Sequence, residues 1–234
     1  MKKFNKLFII LLCCVGAMSV TSCLDGDDYS GPTPEEISAA YDQMRGSYQG
    51  GSGVYANKVY FYNDTITDKN NPYKTDSLTG YYVNGGINRG YTLDGKDSVT
   101  LVLNGIEGRV FTKEIKGDEY KGLREAIENA PNQQIKGQIS IYAIQSQVVY
   151  FYLYPVSVTY KDLEYDGGKH DVSISFWYPS VGNYFMSNAH RVLQFPIVMA
   201  AVSIDGKEAF KIYDGYSQDQ EKYKRALLTV QLCD

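Results

Sequence analysis

The chain is poor in the side chains that most often carry chemistry. It has two histidines, His170 and His190, and four cysteines, Cys13, Cys14, Cys23 and Cys233. No HExxH, GxSxG, CxxC or phosphate-loop pattern occurs, so the familiar motifs of zinc peptidases, nucleophile-elbow hydrolases and P-loop enzymes are missing. Basic charge is short as well: 23 Lys and Arg stand against 27 Asp and Glu, a net charge of −4. A nucleic-acid partner needs a basic face to displace the counterions of phosphate, and the sequence excludes that role. Long apolar runs are absent too. The run over residues 7–18 falls below the roughly 20 residues that span a bilayer as a helix, and the strongest later run, 196–202, has the length of a strand. The acidic stretch Asp25-Gly26-Asp27-Asp28 lacks the twelve-residue spacing of a calcium loop, so no metal and no cofactor is expected.

What is present begins at the N-terminus. Lys2, Lys3 and Lys6 form a basic start, an apolar stretch follows, and Ser19-Val20-Thr21-Ser22-Cys23 closes it with small residues, the layout of a secretory signal. The block Val20-Thr21-Ser22-Cys23 resembles the lipobox of bacterial lipoproteins, in which cleavage precedes a Cys whose thiol carries diacylglycerol. That resemblance implies a signal peptide over residues 1–22, lipidation of Cys23 and a lipid anchor in the outer membrane. Asp25, Asp27 and Asp28 then resemble the surface-export signal of lipoproteins in Gram-negative gut anaerobes. This implies display at the cell surface, with a periplasm-facing anchor as the alternative. Residues 23–33 read as an acidic flexible tether. Loss of residues 1–22 removes Cys13 and Cys14, and lipidation uses Cys23. Cys233 is left without a disulfide partner, in an apolar strand pattern that predicts a buried thiol.

Residues 34–234 read as one β-rich domain. Its fold class is mainly β, an antiparallel sandwich or barrel with two short packing helices; α+β is the alternative. The first helix covers residues 34–44, where Thr33 and Glu36 have capping-box spacing and Ile37, Ala40, Tyr41 and Met44 form a stripe. The second covers 118–130, with Tyr120, Leu123, Ile127 and Ala130 on one face and Pro131 as the stop. Each helix leads into a similar strand signature, Val59-Tyr60-Phe61-Tyr62 and Val149-Tyr150-Phe151-Tyr152. The two stretches, 34–113 and 118–232, are read as either an internal duplication or a coincidence of Tyr-rich strands. Alternation places Val172, Ile174 and Phe176 in a core with Ser173 and Ser175 in water, and Val99, Leu101 and Leu103 behave likewise. Residues 197–204 read as a strand buried on both faces, and Ala226, Leu228, Val230 and Leu232 as one face of the last strand. Asp94-Gly95, Asp166-Gly167 and Asp205-Gly206 suit type I′ hairpin turns.

Tyrosine is the richest signal, with 22 residues. Runs of aromatic residues put rings on both faces of strands, and one face must meet either solvent or a ligand. Tyr60, Tyr62, Tyr150, Tyr152, Trp177 and Tyr178 are the candidate ligand-facing rings; the alternative is a β-surface with its hydroxyls in water. Thr65, Ser77 and Ser98 each follow Asp and precede an aliphatic residue, and so resemble the O-glycosylation sequon of gut anaerobes. The same pattern also serves turns that enter strands. Both histidines read as exposed, His170 beside a turn and His190 in a polar loop, and no catalytic residue is assigned.

With the lipobox, the helix leading into Gly46-Ser47-Tyr48 and the Val-Tyr-Phe-Tyr strands, the mature chain resembles an uncharacterised lipoprotein family of gut anaerobes, a domain of unknown function. Gly46-Ser47-Tyr48 also resembles the Gly-x-Trp opening of calycin-type barrels, with Tyr in place of Trp. Neither resemblance supplies catalytic residues. The expectation is a non-enzymatic lipoprotein with a binding or structural role toward glycan, a small apolar ligand or a protein partner. A polysaccharide hydrolase would bring two carboxylates to about 5–10 Å. An envelope assembly partner would present an exposed apolar patch or an open sheet edge.

Overall fold

Period-two alternation builds most of the chain into strands. The structure is a computed structural model and describes residues 31–50, 57–61, 83–93, 95–213 and 227–234. In β5 (Gln133–Gln145), residues 135, 137, 139, 141 and 143 are buried while their neighbours face out. The same rule shapes β3 (Asn84–Tyr91), β4 (Asp97–Ile106), β6 (Val148–Pro155), β8 (Gly168–Trp177) and β9 (Ser180–Ser187). The remaining strands are β1 (Gly46–Tyr48), β2 (Lys58–Phe61), β7 (Val158–Tyr165), β10 (His190–Ile204), β11 (Lys207–Lys211) and β12 (Leu227–Cys233).

All twelve belong to one antiparallel sheet. Eight lie side by side in the order β1-β3-β4-β5-β6-β9-β10-β12, of which β3 to β6 form a meander, and β2 adds beyond β12. The 15-residue β10 serves two neighbourhoods. Its first half lies between β9 and β12, and its second between β8 and β11, with β7 beyond β8. The fold is therefore mainly β with short helices. Among the described residues its strands make a single open sheet.

The sheet curls so that its ends approach. Gly50 N–H donates to the Cys233 carbonyl at 2.8 Å. The Asn57 amide spans the same gap: Nδ2 donates to the Tyr48 carbonyl at 2.7 Å, and Oδ1 accepts from Cys233 N–H at 2.7 Å. Asn57 is 3% exposed, and these bonds satisfy an amide that would otherwise be costly to bury. Gly85 of β3 lies so close to β12 that a Cβ there would stand 2.3 Å from Leu232 Cδ1. Leu101, Leu103, Phe151, Phe195, Ile197 and Leu232 are among the side chains sealed in the main core, each worth about 1.5–3 kcal/mol of burial.

Among the described residues three helices pack on this sheet. In α1 (Pro34–Met44) the capping box is complete: Glu36 N–H donates to Thr33 Oγ1 at 3.2 Å, and Thr33 N–H to Glu36 Oε2 at 2.8 Å. The buried face of Ala40, Tyr41 and Met44 turns to the sheet. Tyr41 Oη donates to the Ile139 carbonyl and accepts from Ile141 N–H, occupying β5 backbone groups beyond the reach of β4. Arg89 of β3 holds the outer side, with Nη1 3.0 Å from both the Ser38 carbonyl and Asp42 Oδ1. A short α2 (Arg109–Thr112) precedes α3 (Lys121–Asn129), which bears on β7. The helix expected over 118–130 opens as a 3-10 turn, Asp118–Tyr120, and buries Leu123 and Ile127 as its pattern requires.

Several expectations need correction in detail. Ser173 and Ser175 are half-buried, because Ser173 Oγ pairs with Thr159 Oγ1 at 2.9 Å and Ser175 Oγ donates to the Ala201 carbonyl. β12 is buried on both faces, since Leu227 packs with Val198, Ile212 and Tyr213 while Leu228, Val230 and Leu232 enter the main core. Cys233 is fully buried. Residues 166–167 and 205–206 take the expected positive φ, whereas Asp94 and Ala226 lie outside the described residues. β2, which carries the first Val-Tyr-Phe, pairs with β12; β6, which carries the second, runs between β5 and β9.

Candidate functional site

Because Val149, Phe151 and Leu153 of β6 point into the core, Tyr150, Tyr152 and Tyr154 must point out. On β5, a bulge between Ile141 and Ala143 leaves Tyr142 over the same surface. Tyr142 stacks on Tyr152 with centroids 4.4 Å apart and planes 24° apart, and tilts toward Tyr150 at 6.3 Å. Tyr154 meets Tyr178 at 6.4 Å. Tyr142 is 37%, Tyr154 39% and Tyr178 64% exposed, so these large rings remain open to solvent. The result is a strip of five tyrosines on the outward face of β5 and β6, ending just past β8.

A row of amides continues from it. Asn183 of β9 is the register partner of Tyr150, Gln194 of β10 that of Asn183, and Gln231 of β12 that of Gln194. Gln194 Nε2 donates to Gln231 Oε1 at 3.0 Å. Flat aromatic faces beside amide donors and acceptors suit a polyhydroxylated ligand, whose C–H faces stack and whose hydroxyls pair.

Of the rings singled out by sequence, Tyr150, Tyr152 and Tyr178 come together. Trp177 does not join them; it meets Tyr213 edge-on at 5.9 Å, beside the cluster over β10. Tyr60 lies in β2 opposite Thr229. Cys23, Tyr62, Thr65 and Ser77 lie outside the described residues, and Ser98 is half-buried on β4 opposite Gly90. The site members not assigned from sequence are Tyr142 and Tyr154. Both sit at outward positions of strands whose alternation was readable, Tyr142 beside Ile141 and Tyr154 beside Leu153.

Both histidines are more enclosed than expected. His170 Nδ1 lies 2.8 Å from Asp205 Oδ2, and its ring packs 4.6 Å from that of Tyr165. Asp205 Oδ1 accepts from Asp171 N–H at 2.9 Å, while the Asp171 carboxylate takes the Lys161 ammonium and Asp162 N–H. This cluster joins the β7–β8 turn to the β10–β11 turn. The hydrogen bond from Lys161 holds Asp171 below the usual carboxylate range, and His170 does the same for Asp205. A glycosidase pair needs one carboxyl raised enough to stay protonated, and these two move the other way. His190 opens β10, and its Nδ1 bonds the backbone oxygen of Asp234.

A cavity of about 790 Å³ lies between α3 and β7. Tyr160 and Tyr165 line it with hydroxyls that have no partner among the described residues, and burial pushes both phenols up. Along this cavity β7 carries a bulge with Asp162 at φ +49°. Among the described residues no three His, Cys, Asp or Glu side chains are grouped to hold a metal ion, and no helix is long and apolar enough to cross a membrane.

A family model described as a domain of unknown function (DUF4840) matches residues 43–204, which takes in the whole tyrosine strip. No curated protein and no solved structure matches the chain.

Proposed function

The chain belongs to the DUF4840 family, and from its own residues we propose a non-enzymatic, lipid-anchored envelope protein that binds glycan on its outward tyrosine strip. The observation that carries this reading is the grouping of Tyr142, Tyr150, Tyr152, Tyr154 and Tyr178 on one rigid surface. Rings held in a sheet lose little entropy on binding, which favours stacking on a sugar face. The anchor is read from the lipobox-like Val20-Thr21-Ser22-Cys23, with Cys23 lipidated in the outer membrane. The acidic Asp25, Asp27 and Asp28 favour surface display over a periplasm-facing orientation. Thr65, Ser77 and Ser98 are its proposed O-glycosylation positions.

The test is a glycan array and pull-down with residues 24–234, paired with membrane fractionation of cells that express Cys23→Ala. Retention of a glycan class by the wild-type fragment, lost on Tyr142→Ala, supports the binding role. Release of Cys23→Ala from the membrane fraction supports the anchor. A second reading, an envelope assembly partner, is favoured by the edge of β7, which among the described residues pairs only with β8 and offers backbone groups to another chain. Capture of one envelope protein in place of glycan would favour it.

A further inference from the structure

We propose that the cavity between α1 and the β5–β6 turn is a separate binding site for a neutral apolar molecule bearing one hydroxyl or N–H group. The cavity measures about 820 Å³, within the range of small-molecule sites. Its walls are mostly apolar: Ala39 and Ala40 of α1, Ile144 and Val148 at the turn, Phe185 and Met186 of β9. Met186 is 55% exposed, an adaptable side chain at the mouth. The wall formed by α1 is fixed in place, since Tyr184 Oη donates to the Gln43 carbonyl and Tyr41 ties the helix to β5.

Gln43, Ser146, Gln147 and Gln194 also line the cavity, and Asn183 supplies its buried acceptor. It lines this cavity, is 4% exposed, and its Oδ1 has no hydrogen-bond partner among the described residues. A buried acceptor left unpaired keeps its full desolvation penalty, which a donor brought in by a ligand recovers. An amide oxygen only accepts, so the ligand must donate. A carboxylate has no proton to give, and Glu36, which lines the same cavity, adds like charge against it. The site therefore selects an alcohol over the acid of the same carbon chain. Four of the five strip rings, Tyr142, Tyr152, Tyr154 and Tyr178, take no part in its lining, while Tyr150 and the amides Asn183 and Gln194 border both sites.

The experiment is calorimetric titration of the full-length protein in lipid nanodiscs with octan-1-ol and with octanoate, using empty nanodiscs as the blank. Octan-1-ol binds, and octanoate binds about tenfold more weakly or not at all. Ala39→Trp fills the cavity from an exposed helix position and abolishes octan-1-ol binding while the circular dichroism spectrum is unchanged. Asn183→Leu removes the acceptor and weakens octan-1-ol by about tenfold. Three outcomes overturn the proposal: no octan-1-ol binding, as when an ordered water already satisfies Asn183; octanoate binding as tightly as the alcohol; or octan-1-ol binding unaltered by Ala39→Trp. Glycan retention on the strip is read separately, so failure here leaves the other proposal standing.

Discussion

The guanidinium carbon of Arg191 lies 4.8 Å from the centre of the Tyr48 ring. From that position the side chain reaches three partners far apart in sequence. Nη1 donates to the Arg45 carbonyl at 2.7 Å, Nη2 to the Ser47 carbonyl at 3.2 Å, and Nε to Asp234 Oδ2. One residue of β10 thus fixes the α1–β1 junction against the end of β12. Arg191→Ala is expected to destabilise the fold by about 2–3 kcal/mol, because it takes the side-chain donor from two carbonyls, leaves the Asp234 carboxylate only the backbone N–H of residue 191 and uncovers the ring. Arg191→Lys should recover less than half of that loss, since an ammonium lacks the planar fork. Urea unfolding of the three proteins measures both values.

The same tie makes stability depend on acid. Burial pushes the Asp234 carboxyl up, but hydrogen bonds from the Arg191 side chain and backbone amide outweigh it and hold the group below its ordinary value. A carboxyl with a depressed folded pKa contributes fully above the unfolded value of about 3.9, and the contribution is lost as pH falls through the lower folded value. Wild type should therefore lose stability between pH 5 and pH 3 faster than Asp234→Asn, which has no proton to take up at that site. The readout is the difference in urea midpoints between the two proteins at each pH.

Asn57 acts as a one-residue substitute for strand pairing. Its side chain meets the Tyr48 carbonyl and Cys233 N–H, groups 9 and 176 residues away in sequence. Asn57→Ala takes from both backbone groups the partner that the amide supplies where the sheet ends meet. The expected cost is about 2–4 kcal/mol. Hydrogen exchange should also speed up at Cys233 N–H, while amides in the middle of β5 keep their protection until global unfolding.

The contrast between Asn57 and α1 explains what could be read from the sequence. Thr33 and Glu36 are three residues apart, so their reciprocal hydrogen bonds are legible locally. So are the positive-φ turns at 166–167 and 205–206, which need only adjacent residues. The curl of the sheet depends on contacts such as Arg191 to Arg45, 146 residues apart, and no local pattern encodes them. The site divides along the same line. Outward Tyr150 and Tyr152 follow from inward Val149 and Phe151, but the approach of Tyr178 to Tyr154 depends on how distant strands meet. Asn183 reads as an ordinary polar strand residue until β6 and β10 flank it.

Two glycines should respond to alanine for different reasons. At Gly182 an added Cβ would stand 2.5 Å from Phe151 Cε2 and 2.8 Å from Phe195 Cβ, inside the core. Gly182→Ala must displace rings that other side chains hold, at about 1–3 kcal/mol. Gly105 has φ +79° with nothing within 4 Å of its would-be Cβ. There alanine meets only backbone strain, about 1–2 kcal/mol. A larger side chain separates the mechanisms: serine at 105 should cost about as much as alanine, whereas valine at 182 should cost clearly more than alanine. Thermal unfolding of the four variants checks the pattern.

The tyrosine strip gives the prediction that separates binding from folding. Tyr142 and Tyr154 keep more than a third of their surface in solvent, so truncation removes little burial. Tyr142→Ala should cost about 0.5–1.5 kcal/mol of stability, the worth of its contact with Tyr152, and Tyr154→Ala, with only a tilted partner at 6.4 Å, no more than that. If the strip stacks on sugar, each change should weaken glycan retention by about tenfold. Tyr142→Phe should keep most of the affinity, because the ring face remains. Phe151→Ala provides the opposite case: its ring is fully buried and contacts no ligand, so it should cost about 3–5 kcal/mol while any folded fraction still binds. Loss of affinity in Tyr142→Ala that merely tracked its loss of stability would sink the strip as a binding surface.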